Sequence, residues 1–300
     1  MKKNRYLWLM AAPLYMFSVF FVLGPMVYGF LLSFFERAGG MQVDYTFTLE
    51  NYKRIWDYRD TFLLSLKVGI TTTFITALIG YPFGYFMARL KRRSRQLVLM
   101  LLIIPFLTSS LLRINGWTAV LKANGILERL LIKLGIIDGT LKLMYNYETV
   151  IFGMVYMLLP FMILSVYSAM EKMDWSLLDA AFDLGAGHVK AFFTITARLT
   201  INGLYTGIVL TFIPAMGLFF VAERMGGNKI YLIGNLIKDQ ITNARNIPFG
   251  AALAVVLAAI TTVFLLLPAL VKACKSSSFR RKRRCNPSLK LRNGGTNEDI

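Results

Sequence analysis

Six apolar stretches, each long enough to cross a bilayer and almost free of charge, govern what this 300-residue chain can become. They cover about residues 6–35, 62–88, 97–121, 149–170, 199–221 and 249–271. The hydrocarbon core of a membrane is ~30 Å thick and takes about 20 helical residues to span. In lipid every backbone polar group needs an internal partner, which leaves helices and closed barrels. A barrel strand is ~10 residues of alternating polarity, whereas these blocks are solidly apolar. The expected class is therefore an all-α integral membrane protein of six transmembrane helices. A mean hydropathy of +0.55 agrees with that class. Lys2, Lys3 and Arg5 precede the first block in the manner of a secretory signal. Its apolar run is too long for a signal and no small-residue cleavage site follows, so it reads as a retained span.

Cation placement predicts orientation. If connections are assigned alternately to two sides, the side holding the N-terminus carries 20 Lys/Arg and the other 12, although the first is shorter. The richer side includes the clusters at 91–95 and 280–284. Under the positive-inside rule both termini are expected in the cytoplasm. The net charge of +18 is then a topology signal answered by anionic lipid headgroups, and no nucleic acid is expected as a partner. Residues 1–60 form the first helix and an outer loop, 61–271 the transmembrane core, and 272–300 a basic tail expected to lack structure beyond Arg284. Cys274 and Cys285 both fall in that tail, where a reducing compartment disfavours a disulfide and leaves palmitoylation as a weak alternative.

The spans contain no Asp or Glu, whereas ion-coupled carriers bury ionisable sites near the midplane. His188, the only histidine, falls in a loop, and the chain has no metal-binding cluster and no Walker-type phosphate loop. Chemistry on this chain is not expected. Pro82, Pro105, Pro160 and Pro214 interrupt span interiors and free the carbonyls of Leu78, Leu101, Tyr156 and Leu210. Such kinks pack against neighbours or line a wet cavity. Arg113 sits deep in the third block, where it either snorkels outward or faces a pathway or a subunit contact.

The loop 171–198 between blocks four and five carries the strongest signal. Ser176 and Asp179 have capping-box spacing. Leu177, Leu178, Ala181, Phe182, Leu184 and Gly185 then share one helical face, with Asp179 and Asp183 opposite and Gly185 and Gly187 as terminators. With no cations on its polar face, this short helix suits a groove on another protein better than a lipid surface.

Asp179-Ala180-Ala181, three residues, Gly185, nine residues and Ile195 resemble the EAA loop of binding-protein-dependent ABC importer permeases. Further matching stretches include Gly80-Tyr81-Pro82-Phe83, Leu159-Pro160-Phe161-Met162, Pro214 through Phe219, and Met225-Gly226-Gly227. With these, residues 45–270 resemble the spermidine/putrescine permeases of the PotB type. Asp179 departs from the family glutamate, and Ala197 and Arg198 stand where the family has Leu and Pro.

The resemblance implies a type I (MetI-like) permease fold in the bacterial inner membrane. It also implies a second permease of the PotC type, two ABC ATPases and a periplasmic or lipid-anchored binding protein that delivers polyamine. Asp179, Ala180, Ala181, Gly185 and Ile195 would then couple to the ATPases, which bind the ATP; the chain itself would carry no cofactor. Candidate pathway or gate residues are Arg113, Phe106, Trp117, Tyr156, Phe219 and Glu223, with Glu148 and Asp239 near the entrance. An ion-coupled carrier of the same topology, an ABC permease for another small solute and a membrane scaffold remain alternatives.

Overall fold

The computed structural model describes residues 12–39, 42–136 and 143–285. Helices dominate: α1 (Ala12–Leu32), α2 (Arg59–Arg89), α3 (Arg92–Ile103), α4 (Ser110–Leu121), α5 (Ile126–Lys133), α6 (Tyr147–Glu171), α7 (Ser176–Asp183), α8 (Ala197–Gly217), α9 (Ile233–Thr242) and α10 (Ile247–Cys285). A small antiparallel hairpin of β1 (Phe35–Gly39) and β2 (Gln42–Phe47) follows α1, with Arg37 opposite Val43. Five described helical runs are long and apolar enough to cross a membrane. The pair Arg92–Leu107 and Ser110–Lys133 makes a sixth crossing if it is one bent span.

The span expected over 97–121, with a kink at Pro105, is that bent pair. It turns by 93° at a short break. Pro105 opens the turn Ile104–Leu107, and Thr108 and Ser109 follow in extended conformation, with ψ of 151° and 134°. A proline removes a helical N–H, and although Ile104 before it keeps helical angles, the helix ends within one turn after it. The Thr108 hydroxyl returns a hydrogen bond to the Pro105 carbonyl at 2.7 Å. The other span prolines, Pro82, Pro160 and Pro214, stay inside continuous helices.

By its contacts the chain divides into residues 1–255 and 256–300. In the first unit α6 is the axial helix, with α2 and α8 against it. Met154, Met162, Val166 and Met170 along α6 are fully buried. Glycines on both neighbours make this possible. A Cβ on Gly84 of α2 would stand 2.9 Å from Val166 Cγ1, and one on Gly203 of α8 would collide with the Ala169 Cβ. Gly80 and Gly207 repeat the arrangement one turn away, both against Met162. Small residues at an i, i+4 spacing let backbones approach where lipid offers no hydrophobic drive for association.

Hydroxyls link the same helices. Tyr81 of α2 bonds Thr200 of α8 at 2.9 Å, and the Tyr147 hydroxyl of α6 donates to Thr71 of α2 at 3.1 Å. In α1, by contrast, the apolar side chains from Leu14 to Leu31 are exposed, as a helix facing lipid requires. The second unit, among the described residues, is the continuation of α10 as helix from Val256 through Cys285. The expected loss of structure beyond Arg284 concerns residues 286–300, which lie outside the described residues.

Candidate functional site

The helix predicted after Trp175 forms as α7, although not by the expected cap. Ser176 and Asp179 do not close a capping box. Instead Asp174 Oδ1 accepts the Ser176 N–H at 3.0 Å, two residues earlier than the sequence spacing suggested. The exit does follow the glycine. Gly185 has φ +81°, its N–H donates to the Phe182 carbonyl at 2.9 Å, and the Ala186 N–H donates to the Ala181 carbonyl at 3.0 Å. These two bonds make a Schellman termination. A Cβ at Gly185 would meet nothing within 4 Å, so the requirement for glycine here is conformational rather than steric.

One side of α7 is anchored and the other is open. Leu178 is buried, and Phe182 stacks edge-on against His188 with ring centroids 4.8 Å apart. Just before the helix, Trp175 packs on Tyr85, and Arg89 lies over both rings at 4.8 and 5.1 Å. Tyr85, Arg89, Leu178, Phe182, Phe192 and Thr196 line a cavity of about 340 Å³ beneath it. Asp179, Ala180 and Gly185 are exposed, Ala181 is half-buried, and Leu177 and Leu184 stand out into solvent. The apolar stripe read as one face is thus divided between an anchor and an open ridge.

Ile195 is half-buried in the π turn Phe192–Thr196 that leads into α8. With Arg198 where the family has proline, the run His188–Gly217 is one helix of 30 residues. At the same end of α6, Arg95 reaches Glu171 at 3.4 Å, and the Tyr167 hydroxyl donates to Glu171 at 2.7 Å.

The pathway candidates fall into three groups rather than one chamber. Arg113 lies 4.9 Å over the Phe106 ring, and Phe106 meets Phe161 edge-on. Among the described residues Arg113 has no carboxylate partner, and its Nε is buried without a hydrogen bond. Trp117 packs against Phe152 and Tyr156, and with Glu148 and Tyr147 lines a largely apolar groove of about 600 Å³. Lys67, a cation within the 62–88 block, sits 5.3 Å over the Tyr147 ring.

The third group lies after α8, near the start of α6. Helix α8 stops at Gly217, short of the expected 221, and a three-residue helix Phe219–Val221 runs into the π turn Ala222–Gly226. There Glu223 Oε2 pairs with Lys238 Nζ at 2.7 Å, and the same ammonium lies 5.6 Å from the Phe219 ring centroid. Asp239 accepts from Tyr231 at 2.6 Å and from Asn243 at 2.9 Å. Burial and that carboxylate hold the Tyr231 phenol well above its usual range.

Three features of this site escaped sequence reading. The glycine pairs at 80/84 and 203/207 were visible as small-x3-small spacings within spans. Asp174 was visible only as an acid shortly before a helix. Lys238 had no sequence signal, because its partner is fifteen positions away across a turn.

The sequence profile described as "binding-protein-dependent transport system inner membrane component" matches residues 80–274. The chain belongs to that family. This permease is 43% identical over 251 residues to the spermidine/putrescine transport system permease protein PotB of Escherichia coli (strain K12), covering 83% of this chain and 91% of that one. It is 40% identical over 254 residues to PotB of Haemophilus influenzae (strain ATCC 51907 / DSM 11121 / KW20 / Rd), covering 84% and 89%. Its fold is that of a chain in a bacterial alginate ABC transporter, solved with an alginate pentasaccharide-bound periplasmic protein. The TM-score is 0.68 at 14% identity, over 89% of this chain and 93% of that one. The permease is accordingly an inner-membrane transport component.

Proposed function

We propose that this permease is one of two membrane subunits of an ABC importer for spermidine and putrescine. Separate ATPases drive it through α7, and a soluble or lipid-anchored binding protein delivers the substrate. The carrying observation is the construction of α7. It is clamped to the body through Leu178 and Trp175, sharply ended at Gly185, and presents Leu177, Asp179, Ala180 and Leu184 outward. A short helix held this firmly transmits a push from a partner groove into α6 and α8 instead of bending. ATP binds on the partner ATPases, and the chain contributes no nucleotide chemistry of its own. The second permease is a different chain, of the PotC type. Both termini lie in the cytoplasm, on the side of α7 and the 91–95 cluster.

The substrate class rests on the PotB relatives and on the chemistry at the opposite end. Trp117, Tyr156 and Phe219 offer aromatic faces, and Glu148 and Glu223 offer carboxylates, the two kinds of group that attract an alkylammonium. Arg113, which has no carboxylate partner among the described residues, disfavours tight holding of a polycation beside it, so high-affinity selection rests with the binding protein.

The test is co-purification and uptake. The wild-type chain is expected to bring down its ATPase and to support ATP-dependent uptake of labelled putrescine and spermidine. Disrupting α7 with Gly185→Pro is expected to abolish both while leaving the permease in the membrane. A Gly185→Pro variant that still couples ATP hydrolysis to uptake sinks the role of α7. Uptake that an ionophore dissipates but ATP depletion does not touch favours the ion-coupled carrier.

A further inference from the structure

The pair formed by Lys238 and Glu223 is better built for exchange than for bracing. Helix α9 is already tied to its neighbours without it. Asn235 Nδ2 donates to the Phe219 carbonyl at 3.2 Å, and the Ile233 N–H donates to the buried Ser65 hydroxyl at 2.8 Å. Gly234 packs so closely that a Cβ there would stand 2.8 Å from the Gly217 carbonyl oxygen. The ion pair itself is open to solvent, with side-chain exposures of 35% for Lys238 and 45% for Glu223. An ion pair so exposed holds little together.

What the pair does possess is specific geometry. Phe219 and Glu223 are four residues apart on one helical segment, a spacing that sets them side by side. A single ammonium thereby touches a carboxylate at 2.7 Å and an aromatic face at 5.6 Å. That combination is what a primary alkylammonium seeks from a protein. The neighbouring Asp239 does not compete, because Tyr231 and Asn243 engage both of its oxygens. The segment that carries Glu223 is a π turn, a distortion found frequently at functional sites.

We propose that Phe219 and Glu223 form a binding site for the terminal ammonium of a diamine or polyamine, and that Lys238 occupies it as a tethered stand-in until substrate displaces it. The inference rests on the polyamine reading above and adds to it a site and the latch that keeps it filled. Displacement exchanges one ammonium for another, so the site stays electrically balanced whether or not substrate is present. Lys238, tethered beside the site, returns when the substrate moves on.

The test uses the assembled transporter in detergent, with its second permease and ATPases and without binding protein, and measures equilibrium binding of labelled spermidine. Lys238→Gln empties the site and is expected to tighten binding about two- to fivefold, the range of an exposed ion pair. Glu223→Gln is expected to weaken binding, and the double variant to behave as Glu223→Gln does. A brace would behave otherwise, with both single variants shifting binding in the same direction and the swap Glu223→Lys with Lys238→Glu restoring the wild type. Either result overturns the latch. Uptake with the binding protein supplied separates the two readings. Wild-type transporter that takes up no polyamine overturns the polyamine reading and the latch with it. Intact uptake with single variants that move together overturns the latch alone.

Discussion

At Gly185 a single backbone angle separates a cleanly ended α7 from a strained one. With φ at +81° and open space where a Cβ would be, only the left-handed conformation argues for glycine. Gly185→Ala is expected to cost about 1–2 kcal/mol locally, enough to fray the last turn. Gly185→Asn, which tolerates that region better, is expected to cost less. ATP-dependent uptake measured for both variants checks this, with activity ordered glycine, asparagine, alanine. Equal loss in both would show that the ATPase, not the backbone, excludes a side chain there. Asp174 makes a second residue-scale case. Its carboxylate caps α7 from two residues before Ser176, and Asp174→Ala is expected to destabilise the helix by about 1 kcal/mol. Weaker ATPase co-purification without loss of membrane insertion would report it.

Among the elements, α6 depends on being clasped from two sides. Gly80 and Gly84 on α2, and Gly203 and Gly207 on α8, give its side chains room that any larger residue would take. Gly203→Leu is expected to cost about 1–3 kcal/mol or more through overpacking, seen as a lower thermal midpoint in detergent. Gly217→Leu, at a glycine with nothing within 4 Å, serves as the control and is expected to shift the midpoint far less. Polar links between the same helices are worth less. Tyr81→Phe removes the hydroxyl that meets Thr200 and is expected to cost about 0.6 kcal/mol, the average for such bonds in membrane proteins. The 93° bend between α3 and α4 belongs at this scale too. It puts Arg113 in the first turn of a new helix that starts after the break.

For the whole molecule, orientation is the property most open to direct measurement. In a background with Cys274 and Cys285 replaced by serine, Ser94→Cys is expected to resist a membrane-impermeant maleimide in intact spheroplasts. Asn124→Cys, in the loop between α4 and α5, is expected to react. The reverse pattern would place α7 outside and remove it from any cytoplasmic ATPase.

The membrane class, the helical content and the position of α7 were legible in the chain itself, because each depends on local pattern. Solid apolar blocks require helices in lipid, and a glycine after an apolar stripe ends one. Other features depended on partners distant in sequence. The third block breaks at Thr108 and Ser109, just past the turn that contains Pro105, and hydropathy alone does not register such a turn. The ridge of α7 separates into anchored Leu178 and open Leu177 and Leu184 only when the body beneath it is present. Lys238 reaches Glu223 across the turn between α8 and α9. Composition and periodicity determine what a segment must hide from water or show to lipid. Which side chain meets which is decided by packing, since contact energies arise only after the helices have found one another.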